Sequence, residues 1–235
     1  MPKKVVSALF LSMISVCVPA QNLQLHYDFR HALYDDVPPP NFFTATFEMF
    51  KPDQWGSTFM FVDLNFDQSR GNIGLAYMEI ARDFKIKNFQ IMPHIEYNGG
   101  VGNNNNSGFS VANAYLAGAS YSFVIPNAQF NTYITYKYNA FQKVSNDVQW
   151  TVSWGAGFWK NRIAFCGFMD IWTENKDYTG VESGKKVILL TEPQIWYNVT
   201  QNLSFGSEIE ISNNFYPQYG TKIYAFPTLA GKWTF

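Results

Sequence analysis

The chain has 235 residues, a formal net charge of −1, three histidines and two cysteines, with 18% aromatic and 47% hydrophobic residues. So slightly acidic a chain offers nucleic acid no basic surface, its scattered histidines match no zinc motif, and it lacks the run of about 18 apolar residues that a membrane-crossing helix needs. Nucleic-acid binding, a metal centre and a helical membrane protein are therefore not expected, and nothing in the pattern asks for a cofactor.

At the amino terminus, Lys3 and Lys4 precede an apolar stretch from Val5 to Val18, and Val18-Pro19-Ala20 supplies a small-residue boundary before Gln21. This is the layout of an export signal cleaved near Ala20-Gln21. Residues 1–20 are read as the signal peptide and 21–235 as the mature domain. Cleavage removes Cys17 and leaves Cys166 as the single cysteine, so no internal disulfide and no cysteine metal cluster can form.

From Gln21 onward, apolar and polar residues alternate with the period of a strand. The first strand sets Leu23, Leu25, Tyr27 and Phe29 against Gln24, His26, Asp28 and Arg30. The second sets Phe43, Ala45, Phe47 and Met49 against Thr44, Thr46 and Glu48, and the third, near 58–66, Met60, Val62 and Leu64 against Asp63 and Asn65. The fourth, near 73–83, has Met78 and Ile80 opposite Glu79, and the fifth has Phe89, Ile91, Ile95 and Tyr97 opposite Gln90, His94 and Glu96. In the sixth, Tyr115 to Phe123 alternate with Gly118, Ser120 and Ser122; in the seventh, Phe130, Ile134, Tyr136 and Tyr138 oppose Asn131, Tyr133, Thr135 and Lys137. The eighth pairs Val148, Trp150, Val152 and Trp154 with Gln149, Thr151 and Ser153, and the ninth puts Phe165, Met169 and Ile171 opposite Asp170. A tenth, near 187–197, carries Glu192 and Gln194; an eleventh carries Ser204, Glu208 and Glu210; and Ile223 to Phe235 is the twelfth.

The links between strands alternate in length. Tyr34 to Asn41 with its proline triplet, Asp67 to Asn72, Asn98 to Ser110 with four successive asparagines, Asn139 to Asp147, Thr173 to Lys186 and Asn213 to Lys222 are long. Pro52 to Gly56, Lys85 to Asn88, Pro126-Asn127, Lys160 to Arg162 and Asn198 to Asn202 are tight. Outer-membrane barrels have this asymmetry, with short turns and both termini on the periplasmic side. A spanning chain of strands must close on itself, because lipid cannot pair backbone groups. The expected fold is a closed, all-β transmembrane antiparallel barrel of about 12 strands in the outer membrane of a Gram-negative bacterium. Its partners are outer-membrane lipid and, through the terminal aromatics Trp233 and Phe235 read as an assembly signal, the barrel-assembly machinery. The segment Gly99 to Gly108 is read as a mobile external loop.

By parity the lumen holds Glu48, Asp63, Glu79, Glu96, Asp170, Glu192, Glu208 and Glu210, set against Arg30, Lys137 and Lys232. Lumen charge tunes selectivity. None of His26, His31 and His94 has a serine two residues away, the spacing that would put nucleophile and base on one strand face. No enzymatic activity is expected.

Several patches resemble the nucleoside-specific channel-forming outer-membrane proteins, the Tsx family. They are Thr44-Ala45-Thr46-Phe47-Glu48-Met49-Phe50 through Trp55 to Phe61-Val62-Asp63, then Tyr77-Met78-Glu79-Ile80 with Arg82 and Phe84, and Gly167-Phe168-Met169-Asp170-Ile171-Trp172. The resemblance implies a narrow monomeric barrel passing a small polar solute, a nucleoside, through weak sites of aromatic and ionisable groups. Glu48, Asp63 and Glu79 match acidic positions of those patches and also face the lumen by parity. Phe59, Phe61, Tyr133, Phe168 and Trp172 are the aromatic faces, with Asp170 beside them. Neighbouring strands would then gather Glu48, Asp63 and Glu79 into one acidic patch. Passive diffusion of nucleosides or similar solutes is the expected function; the alternative is a plugged structural or surface-interaction barrel without transport.

Overall fold

The computed structural model describes residues 21–35, 37, 41–104, 107–216 and 221–235; the expected signal peptide and the proline triplet lie outside the described residues. Thirteen strands form one sheet: β1 (Gln21–Asp28), β2 (Phe43–Asp53), β3 (Gly56–Asn65), β4 (Leu75–Phe84), β5 (Ile91–Asn103), β6 (Gly108–Ile125), β7 (Ala128–Asn139), β8 (Ser145–Phe158), β9 (Ile163–Asn175), β10 (Lys185–Thr191), β11 (Gln194–Asn198), β12 (Leu203–Asn213) and β13 (Ile223–Thr234). Neighbouring strands run antiparallel, and β1 pairs with β13 to close the ring. The extra strand is a broken one. Both β10 and β11 lie between β9 and β12, in register as one line, Thr191 facing Met169 and Gln194 facing Cys166. The ladder stops at Glu192-Pro193, where proline has no N–H to give. The wall is therefore a closed barrel of twelve staves.

Side chains divide by parity as expected for every stave. Leu25, Ile95, Ile134 and Ile195 point outward and are each at least half exposed, whereas Gln24, His94, Thr135 and Gln149 point inward and are nearly fully buried. A water-soluble barrel has the opposite arrangement; an apolar outer belt with a polar interior is built for lipid. Outward aromatics cluster at both rims. Tyr27 and Phe43 (4.9 Å) and Tyr97 and Tyr115 (5.5 Å) mark the loop end, while Phe123 stacked on Phe130 (5.0 Å) and Trp154 on Phe165 (6.0 Å) mark the turn end. At the turn end, Pro126-Asn127 joins β6 to β7, with Asn127 at φ 66° supplying the left-handed residue that the turn requires.

Two expectations need correction. Gly99–Gly108 is not one long loop: β5 runs on to Asn103 and β6 starts at Gly108, with a register shift between Asn98 and Gly100. The ladder continues through Gly100, Val101, Gly102 and Asn103 opposite Val111, Ser110, Phe109 and Gly108, with the Phe109 ring lying over Gly102. Arg30, assigned by parity to the first strand, instead opens the short helix α1 (Arg30–Leu33). Asp28 draws it out of the strand by accepting its backbone N–H (2.6 Å) and its guanidinium (2.7 and 2.9 Å).

Candidate functional site

Inward side chains of β2, β3 and β4 build one wall of the lumen. Register puts Glu48, Phe61 and Glu79 in one row and Thr46, Asp63 and Tyr77 in the next. Glu48, Asp63 and Glu79 therefore do not form one contiguous patch, since the Phe61 ring stands between the two glutamates. Each carboxylate has a donor of its own: the Asn22 amide for Glu48 (3.0 Å), the Thr46 hydroxyl for Asp63 and the Tyr77 hydroxyl for Glu79 (2.7 Å). Phe59, Phe61 and Tyr77 step along this wall at centroid spacings of 6.2 and 6.1 Å. Phe59 is 36% exposed although its register faces inward, so its ring borders open space within the barrel.

Tyr133, Phe168, Asp170 and Trp172 also occupy inward positions, on β7 and β9. Two of these aromatic rings have one face covered. Tyr133 stacks on His94 at 4.0 Å and donates to Glu96 Oε2 (2.9 Å), while Lys137 Nζ sits 4.4 Å above the Trp172 ring and donates to Gln149 Oε1 (2.7 Å). Phe168 is half-buried, and Asp170 accepts from the Thr151 hydroxyl. Inward carboxylates from opposite sides of the barrel come close enough to act on one another electrostatically. Glu192 interacts with Glu208, Glu210, Asp63 and Glu79, and Glu208 with Asp63 and Glu48. Inward residues of β2–β4 and of β9–β12 are mostly partly buried, whereas those of β1 and β8 and of the loop-end half of β7 are mostly buried. Open space thus follows a slot between these two acidic walls.

At the loop end the lumen narrows. Tyr224 and Phe226 point inward on β13, and Val37 with Tyr34 from the first loop and Tyr216 from the last packs on them. Arg30 lies 4.4 Å from the Phe226 ring centre and 4.9 Å from that of Phe42. A second filled zone surrounds Trp196, which is fully buried, with Lys232 4.0 Å above its ring and His26 at its edge. Inward parity pointed to Lys232; Trp196 was not singled out, although it shares the parity of Glu192 and Gln194, and the in-folded first loop had no periodic signal, because loop packing carries no fixed spacing.

The two buried histidines differ in their partners. His26 Nδ1 meets the Thr228 hydroxyl (3.1 Å) and, more distantly, Glu208 (3.9 Å), while its Nε2 meets Gln24 Oε1 (2.9 Å), an amide rather than an orienting acid. His94 lies between Asp83 (2.8 Å) and Glu96 (3.3 Å), with carboxylates at both nitrogens. A base oriented for nucleophile activation needs its partner and its orienting acid on different nitrogens.

Residues 20–235 match the family described as a domain of unknown function, DUF5020, and the chain belongs to that family. No curated protein matches the sequence significantly. Among solved structures, the chain is similar to the NanC porin, with a TM-score of 0.57 and 11% identity over 92% of this chain and 100% of that one. It is also similar to LpxR from Salmonella typhimurium, with a TM-score of 0.50 and 8% identity over 92% and 100%. At these identities the likeness concerns the barrel fold.

Proposed function

We propose that the mature barrel is an outer-membrane channel of a Gram-negative bacterium, through which small polar solutes diffuse passively. The observation that carries this reading is the slot itself: carboxylates and aromatic rings that are only partly buried, on two facing walls inside a closed barrel. A filled lumen would bury those side chains as β1 and β8 bury theirs. The NanC structure, described as a porin, has the same architecture. Nucleosides are the proposed solutes, on the Tsx-like patches and on Phe59 and Phe61 standing beside Glu48, Asp63 and Glu79. An aromatic face stacks a base, and carboxylates accept from sugar hydroxyls. Residues 1–20 would be removed on export.

The second reading, a plugged barrel that only presents its loops, draws on the packed zone of Val37, Tyr34, Tyr224 and Phe226 at the loop end. Liposome swelling separates the two. Liposomes carrying the folded protein should swell in isosmotic uridine faster than in a trisaccharide of the same osmolarity. Swelling no faster than in protein-free liposomes would leave the plugged barrel.

A further inference from the structure

Glu79 on β4, Glu96 and Asn98 on β5, and Asp170 on β9 meet in the middle of the lumen. Glu79 faces Asn98 across the β4–β5 ladder, and the charges of Glu79 and Asp170 both act on Glu96. Part of this cluster is satisfied: Tyr77 donates to Glu79 Oε1 (2.7 Å), Thr151 to Asp170, and Tyr133 with His94 covers Glu96 Oε2 at 2.9 and 3.3 Å. Glu96 Oε1 and Asn98 Oδ1 differ. Both are buried, and neither oxygen has a close hydrogen-bond donor among the described residues; the Asn98 side chain itself acts on the Glu96 carboxyl. The Glu96 side chain is 2% exposed, and an acceptor so placed calls for an N–H or O–H partner. Lys137 acts on Glu79 and Asp170, but its ammonium already donates to Gln149 and lies on the Trp172 ring.

Among the described residues no group of three His, Cys, Asp or Glu closes to metal-ligand geometry. A cation that hydrogen-bonds through several N–H groups over a wider span fits better, and amidinium and ammonium groups do this. Phe61 faces Glu79 directly across the β3–β4 ladder and continues to Phe59, an apolar surface leading away from the carboxylates. We propose that Glu79, Glu96, Asn98 and Asp170 form a recognition site for the amidinium or ammonium end of a small organic solute. The apolar or planar body of that solute lies along Phe61 and Phe59. This assignment rests on reading the lumen as a solute path, and it narrows the solute class from polar to cationic.

Benzamidine and benzamide are near-isosteric, and at neutral pH only the first is a cation. Calorimetry of the folded full chain in detergent micelles should show benzamidine binding at least about tenfold more tightly than benzamide, the scale of one charge-assisted hydrogen-bonding partner. Glu96→Gln and Asn98→Ala should each weaken benzamidine by about tenfold and leave benzamide unchanged. The heat-dependent gel shift of the barrel verifies that each variant is folded, and the ligand pair on the unmodified protein decides the matter without any variant. Equal affinities, or no benzamidine binding, would overturn the assignment even if liposomes swell. Selective benzamidine binding without swelling would uphold the site and defeat the channel reading instead.

Discussion

Arg30 ties the first loop into the barrel mouth through a buried ion pair. Its guanidinium and the Asp28 carboxylate, each 8% exposed, meet at 2.7 Å beneath the Phe226 ring. Removing one member of such a pair strands the other charge in a poorly hydrated site. Arg30→Ala should therefore lower the unfolding free energy by roughly 3 kcal/mol, read from urea unfolding by tryptophan fluorescence in micelles. Arg30→Lys should restore only part of that, because an ammonium lacks the planar fork that spans the carboxylate and stacks on the ring. A loss within about 0.5 kcal/mol, typical of a surface change, would mean the loop is not anchored there. Asp177, in the loop between β9 and β10, works at a smaller scale. It accepts the Thr179 hydroxyl and the backbone N–H groups of Thr179 (3.0 Å), Val181 (2.8 Å) and Glu182 (3.4 Å), which hold its carboxyl at about 2 against an ordinary 3.8. A lowered value means the clamp is fully present above the ordinary pKa and is lost as pH falls through about 2. Carboxyl-carbon NMR titration of the folded protein should place the midpoint there; a midpoint at 3.8 would show a solvated side chain.

At the scale of elements, the broken stave depends on a matching irregularity in its neighbour. Gly167 on β9 takes φ +150°, and a Cβ there would come within 2.4 Å of the Glu192 carbonyl, beside the Pro193 interruption. Gly167→Ala should destabilise the barrel by about 1–3 kcal/mol through backbone strain and clash, seen as a lower urea midpoint. An unchanged midpoint would mean that β9 and the β10–β11 stave can separate freely. Strands were legible because period two is a property of the residues themselves. From β1 to β13 the residues read as outward do face outward, since one register slip would turn every lipid-facing side chain inward. Strand ends were less legible, because paired backbone outlasts the hydrophobic pattern in β5 and β6. The ladder break could be seen only as Pro193 within an otherwise regular run. The site was legible in part. Parity placed Glu48, Asp63, Glu79 and Asp170 on the lumen side, but the Phe61 ring between Glu48 and Glu79, the covering of Tyr133 by His94, and the unmatched acceptors of Glu96 and Asn98 depend on neighbours brought in by register from other staves.

For the whole molecule, the closing seam pairs the last strand with the first and leaves Phe235 exposed beside it. Trp233 pairs with Leu23, the Phe235 amide donates to the Gln21 carbonyl (3.1 Å), and the Phe235 side chain is 64% exposed. If Trp233 and Phe235 form the assembly signal, deleting Phe235 should cut the amount of heat-modifiable protein in outer-membrane fractions without changing the stability of protein refolded in micelles. Equal amounts in the membrane would make Phe235 an ordinary rim aromatic. In the proposed channel the closed barrel encloses a continuous acidic path. Clefts lined by one sign of charge concentrate counter-ions, so such a path passes cations in preference to anions. The most direct measurement is the reversal potential of single-channel current in planar bilayers across a potassium chloride gradient. Discrete current steps reversing near the potassium equilibrium potential are expected, with a shift toward zero when Glu48→Gln, Asp63→Asn and Glu79→Gln are combined. Absence of current steps, a chloride-selective reversal, or a reversal potential unmoved by the triple substitution would contradict it.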